Sequence, residues 1–408
     1  MNERFLPYSR QEITEEDIAE VARVLRGDWL TTGPEVGRFE EALASYCGAR
    51  YAVVCANGTA ALHLAMMALD VQPGDGVVTS PITFLATANA ARFVGADVHF
   101  ADIDPLTVNL DPHQVERMLA QSDGRIKVVL PVHFGGHPAR MEEFFALTAK
   151  HGVSIVEDAC HALGAEYLDN SGEMVRIGSC RHSAMTVFSF HPVKGITTGE
   201  GGAVTTNDRA LYERMVLFRG HGMVRNEASG FSFKNTEMAH DDSGNVVPWY
   251  YEMQALGYNY RITDFQCALG RSQLAKVDHF LAAKARLAEC YRAGLAESPR
   301  LSALVKPLEV ADSVRHAWHL FVVQVDFDGA GVSRPELVRR LHAKGVGTQV
   351  HYIPVHLQPY YRQHAGLKRG DLPVAEAYYE RCLSLPLFPS MTKRDVDRVV
   401  AALQESLD

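Results

Sequence analysis

One lysine in this chain sits where a lysine has no structural reason to be. Lys194 stands in the run Phe188-Ser189-Phe190-His191-Pro192-Val193-Lys194-Gly195-Ile196-Thr197-Thr198-Gly199-Glu200-Gly201-Gly202, a Gly/Thr-rich turn directly after a buried apolar strand. A surface lysine needs no such setting. A lysine used for covalent work does, because desolvation lowers its pKa and frees the amine as a nucleophile. The glycines do not form G-x-G-x-x-G after a strand, so a dinucleotide site is not indicated.

Other segments pair with it. In Val156-Glu157-Asp158-Ala159-Cys160-His161 a carboxylate follows an apolar strand, where it can hold a cationic nitrogen or simply cap the next helix. No further ligand pair is suitably spaced to make Cys160 and His161 a metal or protease site. In Cys55-Ala56-Asn57-Gly58-Thr59-Ala60 a strand runs into a helix. Free N–H groups at a helix start, with the Thr59 hydroxyl, suit a phosphate; Asn57 or Thr59 can equally serve as a plain cap. Gly257-Tyr258-Asn259-Tyr260-Arg261 leads into a long helical pattern and says little by itself.

These residues need a scaffold that brings strand ends together. Strands are predicted at 51–56, 77–80, 98–101, 127–133, 153–156, 185–190 and 203–205, many separated by helical patterns such as 59–69 and 138–151. An N-terminal helix over 14–26 opens with Thr14 and Asp17 in capping-box spacing and carries Ile18, Val21, Val24 and Leu25 as its apolar face. The alternation implies an α/β fold with a large, mostly parallel sheet covered on both faces. Ligands of such sheets collect at the C-terminal strand ends, where all four segments fall. After about residue 265 the pattern changes. One long helix is expected over 264–295, then a strand at 318–326, a helix at 334–344, a strand at 348–353, and helices at 373–382 and 392–406. This divides the chain into a large domain with an N-terminal arm, residues 1–263, and a bridging helix with a smaller C-terminal α+β domain, residues 264–408. The polar, aperiodic stretch 224–250 reads as a long loop, either a lid or an inert insertion.

Composition narrows the class. The 408 residues are 47% hydrophobic and 22% charged, with a net charge of −9, ordinary globular proportions that exclude disorder and collagen. No basic run could neutralise a phosphate backbone, so a nucleic-acid partner is not expected. The seven cysteines form no C-x-x-C pair, which suits buried thiols in a reducing compartment and gives no metal site. The start, MNERFLPYSRQEITEED, has no apolar core of a signal peptide. No run approaches the roughly 18 apolar residues of a membrane span. A cytoplasmic protein with no membrane partner is expected.

Taken together, NGTAALHLA, VEDACHALGA, FSFHPVKGITTGEGGAV and GYNYRITDFQCALG resemble the sugar aminotransferases of the DegT/DnrJ/EryC1/StrS family. The resemblance runs from PYSRQEITEEDI to VHYIPVHLQPYY. It implies fold type I, the aspartate-aminotransferase-like fold of pyridoxal 5′-phosphate enzymes, with pyridoxamine 5′-phosphate as the alternate cofactor form. It assigns Lys194 as the lysine that carries the cofactor and catalyses, and Asp158 as the carboxylate that keeps the pyridine nitrogen protonated. Gly58, Thr59 and Ser189 match the phosphate cradle, and Asn259 the phosphate ligand given by a neighbouring subunit. Phe84, in SPITFLATANA, matches the ring stacked on the cofactor, and His161 the residue beside its phenolic oxygen. His351 and the turn Thr31-Thr32-Gly33 would lie near the sugar nucleotide. Arg261 is a further substrate candidate whose role, like that of His191 and of Arg219-Gly220-His221-Gly222, the sequence leaves open.

Within the family, LPYSRQEITEEDI…GDWLTTGP, HPVK…TTGEGG and PWYYEMQALGYNYR are most similar to the branch that serves pseudaminic acid biosynthesis. That branch implies L-glutamate as amino donor and C4 of UDP-2-acetamido-2,6-dideoxy-β-L-arabino-hex-4-ulose, a UDP-linked 4-keto-6-deoxy amino sugar, as acceptor. The alternative is a sister enzyme for D-configured UDP- or dTDP-4-keto sugars, of bacillosamine, legionaminic acid or perosamine type. Those relatives tend to carry a GNK-type turn where this chain has His191-Pro192-Val193. The dehydrating branch replaces the lysine, usually by histidine, and Lys194 is present. A non-catalytic regulator should have lost one of Asp158, Ser189, Lys194 or Asn259, and all are in place. A homodimer with shared active sites follows from the role assigned to Asn259.

Overall fold

The computed structural model describes residues 4–225 and 231–407. Seven strands form its central sheet: β1 (Tyr51–Cys55), β2 (Gly76–Thr79), β3 (Asp97–Phe100), β4 (Ile126–Leu130), β5 (Ser154–Asp158), β6 (Met185–Ser189) and β7 (Gly202–Thr206), in the order β1-β7-β6-β5-β4-β2-β3. Each lies within a few residues of a predicted strand. Pairings from β6 through β5, β4 and β2 to β3 are parallel, and only β7 runs against its neighbours. Strand side chains alternate between faces. Thus Val53, Val77, Val128, Val156, Val187 and Val204 enter one apolar cluster, while Val54, Val78, Val129, Ile155, Phe188 and Ala203 enter the other. Burial on both faces explains why these strands read as nearly continuous apolar runs.

Helices α1 (Glu15–Leu25), α2 (Pro34–Cys47), α3 (Gly58–Ala68) and α4 (Leu85–Phe93) lead the covering layers. The capping box of α1 forms, with the Thr14 N–H donating to Asp17 at 2.9 Å. Its expected apolar face forms only in part, with Val24 buried. Ile18 and Leu25 are exposed, whereas Asp17 is fully buried, bonded to Ser272, Gln273 and Lys276. A polar anchor orients this helix.

The helix expected over 264–295 is two, Asp264–Leu274 and Val277–Glu297, broken at Ala275 and Lys276. Lys276 sits at the break with its ammonium on Thr14 and Asp17. Beyond it, Val305–Pro307, Phe321–Val325 and Cys382–Leu385 form a three-stranded antiparallel sheet. Its core joins Tyr291, Phe321, Val323, Leu383, Leu385 and Val399. The strand expected from residue 318 starts at Phe321, because His316–Leu320 folds against the turn at Gly135 and Gly136, with Trp318 at φ +49°. The strand expected at 348–353 is absent apart from one bridge, Gln349 to Ser384. Residues 226–230 of the expected loop lie outside the described residues. The remainder carries a short helix, Thr236–Ala239, and a two-residue ladder of Met223–Val224 with Glu252–Met253.

Candidate active site

The C-terminal ends of β1, β2, β5 and β6 open into one cleft of about 720 Å³. Gly58, Thr59, Phe84, Asp158, His161, Ser189, Lys194 and His351 all line it.

Lys194 is set by a compact turn. Its N–H donates to the His191 carbonyl at 2.8 Å, and Thr197 and Thr198 tie back to the carbonyl of Phe190. The ammonium has no hydrogen-bond or ion-pair partner among the described residues. Burial pushes its pKa below the ordinary lysine range, and the nearby acidic groups Cys160 and Asp158 only partly oppose that shift. The result is an amine poised for covalent work.

Asp158 ends β5 and is 5% exposed. Its Oδ2 accepts from Thr87 Oγ1 at 2.7 Å and its Oδ1 from the Cys160 N–H at 3.1 Å. Thr83 Oγ1 lies 2.7 Å from Thr87 Oγ1, so a buried hydroxyl pair orients the carboxylate. Such an anchored acid can stabilise a protonated ring nitrogen.

The start of α3 reaches the cleft through Asn57, Gly58 and Thr59. Asn57 is the cap, its side chain accepting from the Ala60 N–H at 2.9 Å. The Asn57 cap is observed, and it leaves the N–H groups of Gly58 and Thr59 without acceptors among the described residues, so the two readings are compatible. Ser189 Oγ stands beside them; a Cβ on Gly58 would lie 2.9 Å from Ser189 Cβ. Gly202 pairs with both Cys55 and Ser189, and a Cβ on it would come within 2.4 Å of the Asn57 carbonyl carbon. Free donors at the positive end of a helix favour a phosphate.

Histidines form the opposite wall. His161 Nδ1 accepts from the Gly135 N–H at 3.3 Å, and Nε2 lies 3.1 Å from Tyr352 Oη. His319 packs against the His161 ring, with centroids 4.1 Å apart. His351 Nδ1 bonds Ser384 Oγ at 2.8 Å; burial and the Lys194 charge bring its pKa down to about 3. Phe84 is 57% exposed at the mouth.

The fold leaves other candidates outside this cleft. Asn259 is exposed and pairs with Gly220; Arg261 is half-buried nearby. The turn 31–33 joins the same region, because Thr31 pairs with Thr263 and the Gly33 N–H donates to Asp264 at 2.8 Å. Arg219 has a structural task, bonding Glu40 and the Val54 carbonyl. His191 lines the cleft. Sequence reasoning missed Thr83, Thr87, His319 and Tyr352. The only available signal was their presence in SPITFLATANA, HAWHL and VHYIPVH.

Residues 11–404 match the profile of the DegT/DnrJ/EryC1/StrS aminotransferase family. The chain is 40% identical over 402 residues, 98% of its length and 97% of the relative's, to the spore coat polysaccharide biosynthesis protein SpsC of Bacillus subtilis. Its structure resembles Helicobacter pylori PseC, an aminotransferase involved in the biosynthesis of pseudoaminic acid, with a TM-score of 0.86, 29% identity and 99% of both chains covered. Spr1654 of Streptococcus pneumoniae, solved in a PLP form, matches with a TM-score of 0.84 at 27% identity, covering 99% of this chain and 98% of that one. The cofactor of such enzymes is pyridoxal 5′-phosphate, and the site fits it. The acceptor-free N–H groups at Gly58 and Thr59 suit its phosphate, the anchored Asp158 its ring nitrogen, and the unpaired amine of Lys194 its aldehyde.

Proposed function

The chain belongs to the DegT/DnrJ/EryC1/StrS aminotransferase family, and from that premise we propose that it moves an amino group from L-glutamate to C4 of a UDP-linked 4-keto-6-deoxy-N-acetylhexosamine. The acceptor we assign is UDP-2-acetamido-2,6-dideoxy-β-L-arabino-hex-4-ulose, the ketone of pseudaminic acid biosynthesis. The observation that carries the chemistry is the unpaired amine of Lys194, in the same cleft as Asp158 and the α3 cradle. The likeness to PseC and the His191-Pro192-Val193 turn support the choice of sugar. The rival is a sister enzyme acting on a D-configured 4-keto sugar.

When bound, pyridoxal 5′-phosphate supplies an electron sink for the carbanion at the amino-bearing carbon. Asp158 would hold the proton on the ring nitrogen, and Thr87, backed by Thr83, holds Asp158. Gly58, Thr59 and Ser189 would grip the phosphate, and Phe84 would pack against the ring. Lys194 Nζ would hold the cofactor at its aldehyde; as a free amine it would move the proton off Cα of the amino donor and, in the second half-reaction, a proton onto C4 of the acceptor. Its main contribution is position.

Asn259, Arg261 and the turn 31–33 share one surface region, which we assign to the cleft of a second copy in a homodimer. Ile18, Leu25, Trp29 and Leu30, each about half exposed, supply apolar area for that contact. Among the described residues no helix is long and apolar enough to cross a membrane. The free cysteines support a cytoplasmic setting.

The half-reaction tests this. Protein loaded with pyridoxal 5′-phosphate and given L-glutamate alone should release one equivalent of 2-oxoglutarate per site and stop. Continuous release, or none, would contradict the proposal.

A further inference from the structure

Lys284 lines a small cavity in which nothing pairs its charge. The cavity, about 20 Å³, lies between the turn that carries Lys194, the N-terminal arm and the helix Val277–Glu297. That is room for one water-sized species. Lys284 is 5% exposed and makes no hydrogen bond or ion pair among the described residues. Burial brings its pKa down to about 8, so at pH 7 most of it is still an ammonium. A buried charge left without a partner is costly.

Ser9, Thr197 and Gln273 also line the cavity, but their donors are spent. Ser9 Oγ donates to the Val193 carbonyl at 3.3 Å and Thr197 Oγ1 to the Phe190 carbonyl at 3.1 Å. Gln273 Nε2 donates to the Glu12 carbonyl at 2.9 Å and to Asp17 Oδ2 at 2.7 Å. His319 is different. It is 5% exposed, neither ring nitrogen has a hydrogen-bond partner among the described residues, and it lines both this cavity and the cleft. Burial first, then the charges of His161, Lys194 and Lys284, holds it well below its ordinary range, so the ring is neutral with one N–H to give. Two donors without acceptors therefore share one small space. Arg10 and Lys194 add cationic residues to its lining, while the half-buried Glu12 makes no ion pair with Lys284.

We propose that this cavity is a binding site for one small monovalent anion of the chloride class, held by the Lys284 ammonium and the His319 N–H. It is separate from the start of α3 and does not depend on what the cleft binds. Its size suits a monatomic halide and not a phosphate or sulfate. Filling it offsets the cost of the buried ammonium, so the anion stabilises the folded chain by mass action.

The test reads halide binding in two ways on the full chain, with pyridoxal 5′-phosphate present so that halide does not act in the cleft. At fixed ionic strength, exchanging sodium gluconate for sodium chloride or bromide should raise the wild-type Tm by about 2 °C or more. Lys284→Met should abolish that rise; a rise that survives the substitution places the halide elsewhere and overturns the proposal. No rise in the wild type overturns it as well, and one that then appears in Glu12→Gln would make Glu12 the counter-ion. Crystals grown in bromide should show an anomalous peak beside Lys284 Nζ. A water there without anomalous signal overturns the proposal, and a peak without the Tm rise marks an adventitious ion only and overturns it too. Should Lys284→Met not fold, the wild-type rise and the bromide peak decide together.

Discussion

The Thr87 hydroxyl donates to Asp158 Oδ2 at 2.7 Å, so the acid that faces the cleft is held by a helix that follows a different strand. A hydrogen bond to a charged group contributes about 1.5–3 kcal/mol. Thr87→Val should therefore weaken pyridoxal 5′-phosphate binding by about 10- to 100-fold. Thr87→Ser should recover most of it. Equilibrium titration of the cofactor absorbance measures both.

Lys194→Ala should lower turnover by at least about 100-fold, the lower bound for losing a positioned general base. Cofactor should still bind through the cradle, but borohydride should no longer fix it to the chain. Mass spectrometry of the reduced protein decides. Covalent label elsewhere on the chain would move the nucleophile.

Gly202→Ala places a methyl within 2.4 Å of the Asn57 carbonyl, a backbone group that cannot yield as a side chain can. A destabilisation of about 1–3 kcal/mol is expected from such overpacking. The start of α3 must shift, so phosphate affinity should fall alongside Tm. An unchanged cofactor Kd would show that the close packing of β7 on this turn does not shape the cradle.

Lys284 is 95% buried by exposure, has no partner among the described residues, and lines a small cavity with Lys194 and His319. Burial alone brings its pKa down to about 8. Between that value and the ordinary lysine range the unfolded chain holds one more proton, so stability should rise with pH there. Below about pH 8 the full penalty is present, about 3 kcal/mol at one pKa unit per 1.36 kcal/mol. Lys284→Met should therefore stabilise the apo protein at pH 7 and flatten its stability profile between pH 8 and 10. Denaturant melts across that range give the sign.

Complementation tests the shared site. If Asn259 completes the neighbour's cradle, Lys194→Ala and Asn259→Ala chains fail separately but form one intact site when mixed. Random pairing should restore about a quarter of wild-type activity. Recovery near zero after verified subunit exchange would place Asn259 in its own chain's service.

How much of this was legible in the sequence depended on whether its cause was local. The seven strands showed because burial on both faces leaves continuous apolar runs, and Lys194 showed because a buried strand feeds it into a Gly/Thr turn. Thr87 and Tyr352 did not, since each gains its role only when folding sets it beside Asp158 or His161, residues far away in the chain. The strand expected at 348–353 failed for a related reason: residues 349–353 line the cleft instead of extending a sheet. Ile18 and Leu25 misled as a core face because Asp17, bonded to Lys276, decides which side of α1 turns inward.

The most direct measurement offers the purified protein, with pyridoxal 5′-phosphate and L-glutamate, the L-arabino and the D-xylo forms of UDP-2-acetamido-2,6-dideoxy-hex-4-ulose separately, and identifies the products by NMR. A 4-amino sugar from the L-arabino ketone alone is the predicted result. A product only from the D-xylo ketone would contradict the assigned sugar while keeping the chemistry. Amination of neither, with native protein and Lys194→Ala giving the same cofactor spectrum, would contradict the transaminase itself.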